Sequence, residues 1–123
     1  MIHGQVSAAR EAIIPLQVRG LTCDLNMSVA IDTGFSGYLT LSPDRIDAVG
    51  MSFLGTAEYE LANGREVTFL VYGGSVEWNG QWRDVHVLES DGGDLLGTRM
   101  LYGYLLTIDM RDGGAVTIEV SDE

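Results

Sequence analysis

Cysteine is almost absent: Cys23 is the only one in 123 residues. A lone thiol cannot cross-link its own chain, so no disulfide framework holds this fold. Its neighbours, Leu21-Thr22 and Asp24-Leu25, read as a turn without an adjacent basic residue to activate the thiol. Basic residues are scarce too, 7 Lys and Arg against 18 Asp and Glu, which gives a net charge of -11. Nucleic acid and anionic membranes repel such a surface and are excluded as expected partners. Long apolar runs are missing, since nothing approaches the roughly 18 residues that a membrane span needs. The opening "MIHGQVSAAREAIIPL" has neither a basic n-region nor a long apolar h-region, so no signal peptide and a cytoplasmic protein are the expectation. His3 and His86 lack partners at metal-ligand spacing, and no metal is expected. Gly73-Gly74 is not followed by Lys-Ser/Thr, so it forms no phosphate loop.

What is present is an apolar, strand-rich pattern. Hydrophobic residues make up 46% of the chain, enough for one folded domain over residues 1–123. Ile13 to Val18, Leu25 to Ile31 and Tyr38 to Leu41 have the β-branched, partly alternating composition of strands. "SPDRIDAVG" predicts a brief helix, with Ser42 as N-cap, Pro43 at the first position, Asp44 in the first turn and Gly50 closing it. Asn63-Gly64 and Asn79-Gly80 each separate two extended arms. Asn-Gly suits the positive φ angles of a type I′ hairpin turn. A last hairpin is expected around Asp112-Gly113-Gly114, and a second short helix over Thr98 to Tyr102. Trp78 and Trp82 flank the Asn79-Gly80 turn and are expected to pack as a cross-strand pair. The predicted class is all-β with one or two short helices.

The stretch "AIDTGFSGYLTLS", residues 30 to 42, stands apart. An apolar strand ends on a carboxylate, Asp32, and a Thr-Gly turn leads at once into another apolar strand. On its own Asp-Thr-Gly is compatible with an Asx-type turn, in which Asp32 and Thr33 bond to local backbone. That ordinary turn is the first reading of the bare tripeptide, and only the wider context makes Asp32 a candidate for an acid held at a strand end for chemistry. A faint internal echo relates "GFSGYLTLS" at 34 to 42 to "GTRMLYGYLLTID" at 97 to 109.

The order of features along the chain resembles the retropepsin-like aspartic peptidases of clan AA, in particular their small single-domain prokaryotic members. The resemblance rests on Asp32-Thr33-Gly34, the hairpin at Asn63-Gly64, and Leu95-Leu96-Gly97 before a short helix, and it spans nearly the whole chain. It implies a closed, mostly antiparallel β-barrel in which Asp32-Thr33-Gly34 and Leu95-Leu96-Gly97 hold corresponding places. It also implies that the Asn63-Gly64 hairpin is a flap over bound peptide.

Aspartic proteolysis takes two carboxyls sharing one proton, one activating water as a base and the other protonating the carbonyl oxygen. This chain holds one Asp-Thr-Gly, so the resemblance implies a homodimer with Asp32 from each copy on the two-fold axis. Thr33 would cross-bond beneath the dyad, Gly34 would leave room for substrate backbone, and no cofactor would take part. The expected substrate is a peptide or protein. Phe35, Ser36, Leu61, Asn63 and Gly64 are the expected substrate contacts, with Tyr59 beside them in the flap arm. Asp109, followed by Met110-Arg111, lacks the Thr/Ser-Gly of a second catalytic turn. Phe35 stands where the better-known members place Ala or Ser, and its ring is expected to narrow the groove. The rival expectation is a dimeric module of the same fold that binds peptides or partner proteins without cleaving them. A third is an enzyme that needs an activator or a different partner chain.

Overall fold

The computed structural model describes residues 1–121. Ten strands run in chain order as β1 (Ile2–Val6), β2 (Ala12–Arg19), β3 (Asp24–Ile31), β4 (Leu39–Leu41), β5 (Ser52–Glu60), β6 (Glu66–Trp78), β7 (Gln81–Glu89), β8 (Leu95–Leu96), β9 (Tyr104–Ile108) and β10 (Ala115–Val120). Two short helices, α1 (Pro43–Val49) and α2 (Thr98–Leu101), follow β4 and β8. The all-β expectation with two helices therefore holds.

The strands form one sheet in the order β5-β6-β7-β4-β8-β3-β2-β1-β10-β9. An additional pairing of β6 with β2, Val18 to Val76 and Arg19 to Ser75, makes the hydrogen-bonded pairings run in a circuit through β2, β3, β8, β4, β7 and β6. Alternation explains which faces turn inward. In β2, Ala12, Ile14, Leu16 and Val18 are buried while Pro15 and Arg19 are exposed. Pro15 is tolerated because β2 meets β1 only at Ala12–Ile13 and β6 only at Val18–Arg19. At Pro15 the strand has a neighbour on one side alone, Ser28 of β3, so no ladder bond is lost on the other.

Helix α1 starts and stops as its sequence dictates. The Ser42 hydroxyl accepts from the Arg45 N–H at 3.4 Å, Pro43 occupies the first turn, and Gly50 closes the helix at φ 73°. That left-handed angle suits glycine, and the Gly50 N–H reaches back to the carbonyls of Ile46 and Asp47. Helix α2 ends one residue earlier than expected, with Tyr102 as its cap.

The core is one cluster to which most of the strands and both helices contribute, with Ile14, Leu39, Leu41, Leu96, Met100 and Ile118 among its fully buried side chains. Burying such a side chain contributes roughly 1.5–3 kcal/mol. Leu39, Leu41 and Leu96 sit on the strands that frame the Asp32 turn, so the site rests on fully buried core.

The two Asn-Gly hairpins differ. At Asn79-Gly80 both residues have positive φ, 52° and 89°, as a type I′ turn requires. At Asn63-Gly64 only Gly64 does, at 82°. There the Gly64 N–H donates to the Leu61 carbonyl at 2.9 Å and the Leu61 N–H to the Arg65 carbonyl at 2.7 Å. The loop is therefore a three-residue turn, Ala62 to Gly64, with a glycine bulge, and the type I′ expectation is corrected here.

The aromatic-pair expectation is also corrected. The tight Asn79-Gly80 turn pairs Trp78 with Gln81 and Glu77 with Trp82, which places the two indoles on opposite faces. Trp78 is buried edge-on to Tyr104, with ring centroids 5.7 Å apart. Trp82 is exposed and carries the Arg19 guanidinium 3.7 Å above its ring. Among the described residues no helix is long and apolar enough to cross a membrane.

Candidate active site

Asp32 lies one residue beyond the end of β3, where three short strands converge. β8 is inserted between β3 and β4, parallel to the first (Ala30 to Leu95, Ile31 to Leu96) and antiparallel to the second (Leu39 to Leu96, Thr40 to Leu95). The backbone of the turn is held from both sides. The Asp32 N–H donates to the Leu96 carbonyl at 2.9 Å, and the Gly97 N–H donates to the Tyr38 carbonyl at 3.0 Å. The Thr98 N–H donates to the Phe35 carbonyl at 2.8 Å, and its hydroxyl reaches the same oxygen at 3.2 Å. The two segments carrying the internal echo thus meet at one place.

Two residues make that approach feasible. At Gly97 a Cβ would fall 2.1 Å from the Gly37 carbonyl oxygen and 2.6 Å from the Phe35 ring, so only glycine fits. Thr40 is the one buried polar residue in the frame, 5% exposed. Its hydroxyl donates to the Gly93 carbonyl at 2.8 Å and accepts from the Leu95 N–H at 2.9 Å, which pins the start of β8. A polar group at such depth is tolerated because both its donor and its acceptor capacity are used.

The Asp32 side chain is half-buried, and its Oδ1 accepts from the Gly34 N–H at 2.9 Å. This is the local Asx bond expected of the bare tripeptide, and it leaves Oδ2 without a hydrogen bond among the described residues. The carboxyl faces a pocket of about 220 Å³. Gly34, Phe35 and Ser36 of the turn line it, and β5 and the hairpin loop contribute Tyr59, Glu60 and Leu61. Thr33 and Gly34 are exposed, and the Thr33 hydroxyl has no hydrogen-bond partner among the described residues.

The Phe35 ring is the link between turn and hairpin. Its centroid is 5.9 Å from that of Tyr59, and Tyr59 in turn meets Phe69 edge-on at 5.8 Å. β5 contains no fully buried residue, so this aromatic chain is a principal apolar contact along that arm.

The structure brings Asp32, Gly34, Phe35, Ser36 and Leu61 to one pocket. Asn63 and Gly64 do not reach it; they sit at the exposed tip of the hairpin, where the Asn63 side chain accepts from the Arg65 N–H at 3.0 Å. Glu60, Phe69, Thr40 and Leu88 line the same pocket and were not singled out by the sequence. Glu60 is a second acid at the site, and no basic side chain lines the pocket. Chemically this is a carboxyl in a partly apolar recess, able to exchange a proton with a bound polar group, with the hydroxyls of Ser36 and Ser90 but no cationic side chain among the described residues that line the pocket. Among the described residues no group of three or more His, Cys, Asp or Glu side chains is placed to hold a metal. No protein-family model matches the chain, and no curated protein matches it.

Proposed function

We propose that the chain is a retropepsin-like aspartic endopeptidase, with a catalytic dyad made of Asp32 from each of two copies. The observation that carries this reading is the framing of Asp32: a half-buried carboxyl at a β3-β8-β4 convergence, opening onto a pocket beneath a long hairpin. The circuit of six paired strands supports the closed-barrel part of the reading. Thr33 is exposed beside Asp32, so its hydroxyl is accessible to a second copy.

In that dimer the two Asp32 carboxyls share a single proton, because like charges at hydrogen-bonding distance do not both ionise. The ionised partner takes a proton from the attacking water, and the protonated partner donates to the scissile carbonyl oxygen. Gly34 presents no side chain to the substrate backbone, and Phe35, Ser36 and Leu61 contact substrate side chains. The peptide lies under the β5–β6 hairpin.

The Phe35–Tyr59 contact favours a second reading, a peptide-binding dimer without hydrolysis, since the ring occupies space that a small residue would leave to substrate. One experiment separates the two. A synthetic peptide library is digested from acid to neutral pH with wild type and with Asp32→Asn, with and without a pepstatin-type inhibitor. Asparagine retains the Oδ1 acceptor for Gly34, so the variant folds. Inhibitable cleavage by wild type and none by the variant is the expected result. Cleavage retained in Asp32→Asn, or full activity in a species shown to be monomeric by sedimentation, overturns the proposal.

A further inference from the structure

All seven basic residues of this chain are arginines. Arg19, Arg45 and Arg111 are paired with Asp24, Asp94 and Asp109. Among the described residues Arg10, Arg65, Arg83 and Arg99 have no such partner. Arg10 and Arg65 stand alone in turns, whereas Arg83 and Arg99 come together at one aromatic ring. Their guanidinium carbons lie 5.3 and 5.5 Å from the centroid of Tyr38.

Arg83 is placed unusually for a cation. It shares a strand face with Val85 and Val87, both buried, and it pairs across the ladder with buried Val76. It is half-buried, and neither it nor Arg99 donates a side-chain hydrogen bond among the described residues. Two acids on the same β6–β7 ladder are engaged elsewhere: Asp84 accepts from the Ser75 hydroxyl at 2.7 Å and Glu77 from the Gly80 N–H at 2.8 Å. The two arginines, Tyr38, Ser36, Thr98 and Tyr102 line an open recess of about 660 Å³ with no carboxylate among the described residues that line it. Ser36 also lines the Asp32 pocket, so the two recesses adjoin.

We propose that this recess is a carboxylate-binding subsite next to the Asp32 pocket, with Arg83 and Arg99 as its donors. Half-buried Arg83 and exposed Arg99 both lie over the Tyr38 ring without a side-chain hydrogen bond among the described residues, which leaves planar donors suited to a two-point grip on a carboxylate. With net charge -11 the protein as a whole repels acids, so two arginines without an ion-pair partner among the described residues are a local exception beside the Asp32 pocket. That the carboxylate belongs to a substrate rests on the peptidase reading; the binding itself does not.

The test is a titration of the wild-type protein followed by NMR of the arginine Nε–H groups. The probes are N-acetyl-glutamate α-amide, which offers a side-chain carboxylate, N-acetyl-alanine, which offers a terminal one, and N-acetyl-glutamine amide as the neutral control. The expected result is saturable shifts at Arg83 and Arg99 with one or both carboxylates and none with the amide. Which carboxylate binds tells whether a side chain or a chain end is read. Equal shifts at Arg10 and Arg65, or equal shifts with the neutral probe, overturn the subsite. In the peptide digest, wild type should prefer an acidic residue at one fixed distance from the cut, and Arg83→Gln/Arg99→Gln should lower that preference about tenfold. A library left uncut by wild type sinks the peptidase reading, while the titration still decides the recess.

Discussion

The ring of Phe35 stacks at a tilt of 52° on that of Tyr59, joining the turn that bears Asp32 to a hairpin with little other apolar anchorage. Phe35→Ala is expected to destabilise the fold by about 2 kcal/mol, less than for a fully buried Phe because this ring is half-exposed. It should also raise hydrogen exchange along β5 more than along β3. Chemical denaturation and exchange mass spectrometry check both; protection of β5 unchanged by the substitution would remove Phe35 as the anchor.

Thr40 offers a cleaner probe of the frame. Thr40→Val keeps the shape but strands the Leu95 N–H and the Gly93 carbonyl, two groups the hydroxyl now satisfies. The expected cost is about 2–3 kcal/mol in urea denaturation. A near-neutral effect would mean that water replaces the hydroxyl.

Two glycines should respond differently to alanine. At Gly97 the new methyl meets backbone and the Phe35 ring, so Gly97→Ala is expected to cost 3 kcal/mol or more, about the scale of severe overpacking. At Gly64 nothing lies within 4 Å and only the φ of 82° opposes it. Gly64→Ala should cost about 1 kcal/mol. Thermal unfolding of the two variants side by side tests the ranking, and a Gly64 variant that is the less stable would reverse it.

The Arg19–Asp24 pair at the β2–β3 turn sets a pH expectation. The bidentate guanidinium contact, at 2.7 and 2.9 Å, holds the Asp24 carboxyl below its ordinary 3.8. The sign follows from linkage: the pair's contribution is present above the unfolded carboxylate value and is lost as pH falls through the lowered folded one. Carbon-13 NMR titration of Asp24 should therefore show protonation later than ordinary on acidification, and Arg19→Gln should restore the usual value. An unshifted Asp24 in wild type would show that solvent screens the pair fully.

Much of this architecture was legible from residues. The caps Ser42, Pro43 and Gly50 place α1 because capping is local chemistry, and the alternation of Ile14, Leu16 and Val18 places β2 and its buried face. Asp32 at a strand end was legible for the same reason. The pocket was less so, because turn type sets register. A two-residue turn at Asn63-Gly64 would oppose Tyr59 to Thr68 and send Phe69 to the other face. The bulged three-residue turn opposes Tyr59 to Val67 and Ala57 to Phe69, which puts both rings on one side. β1 was missed since Ile2 and Val6 alone carry its apolar signal, and its place depends on pairing with β10, more than a hundred residues away. Trp82 was misread because a two-residue turn separates positions 78 and 82 to opposite faces. Arg83 went unnoticed because a cation on an interior face has no local signature.

The insertion of β8 between β3 and β4 has a consequence for the order in which the molecule is made. Asp32 and its turn emerge in the first third of the chain, yet the carbonyls and N–H groups that hold them belong to residues 94–99. Contacts of such sequence separation form late and only when the intervening chain is complete. A nascent or truncated chain lacking Leu95–Thr98 therefore has the acid but not the frame, and whatever chemistry Asp32 performs is withheld until synthesis has passed Gly97.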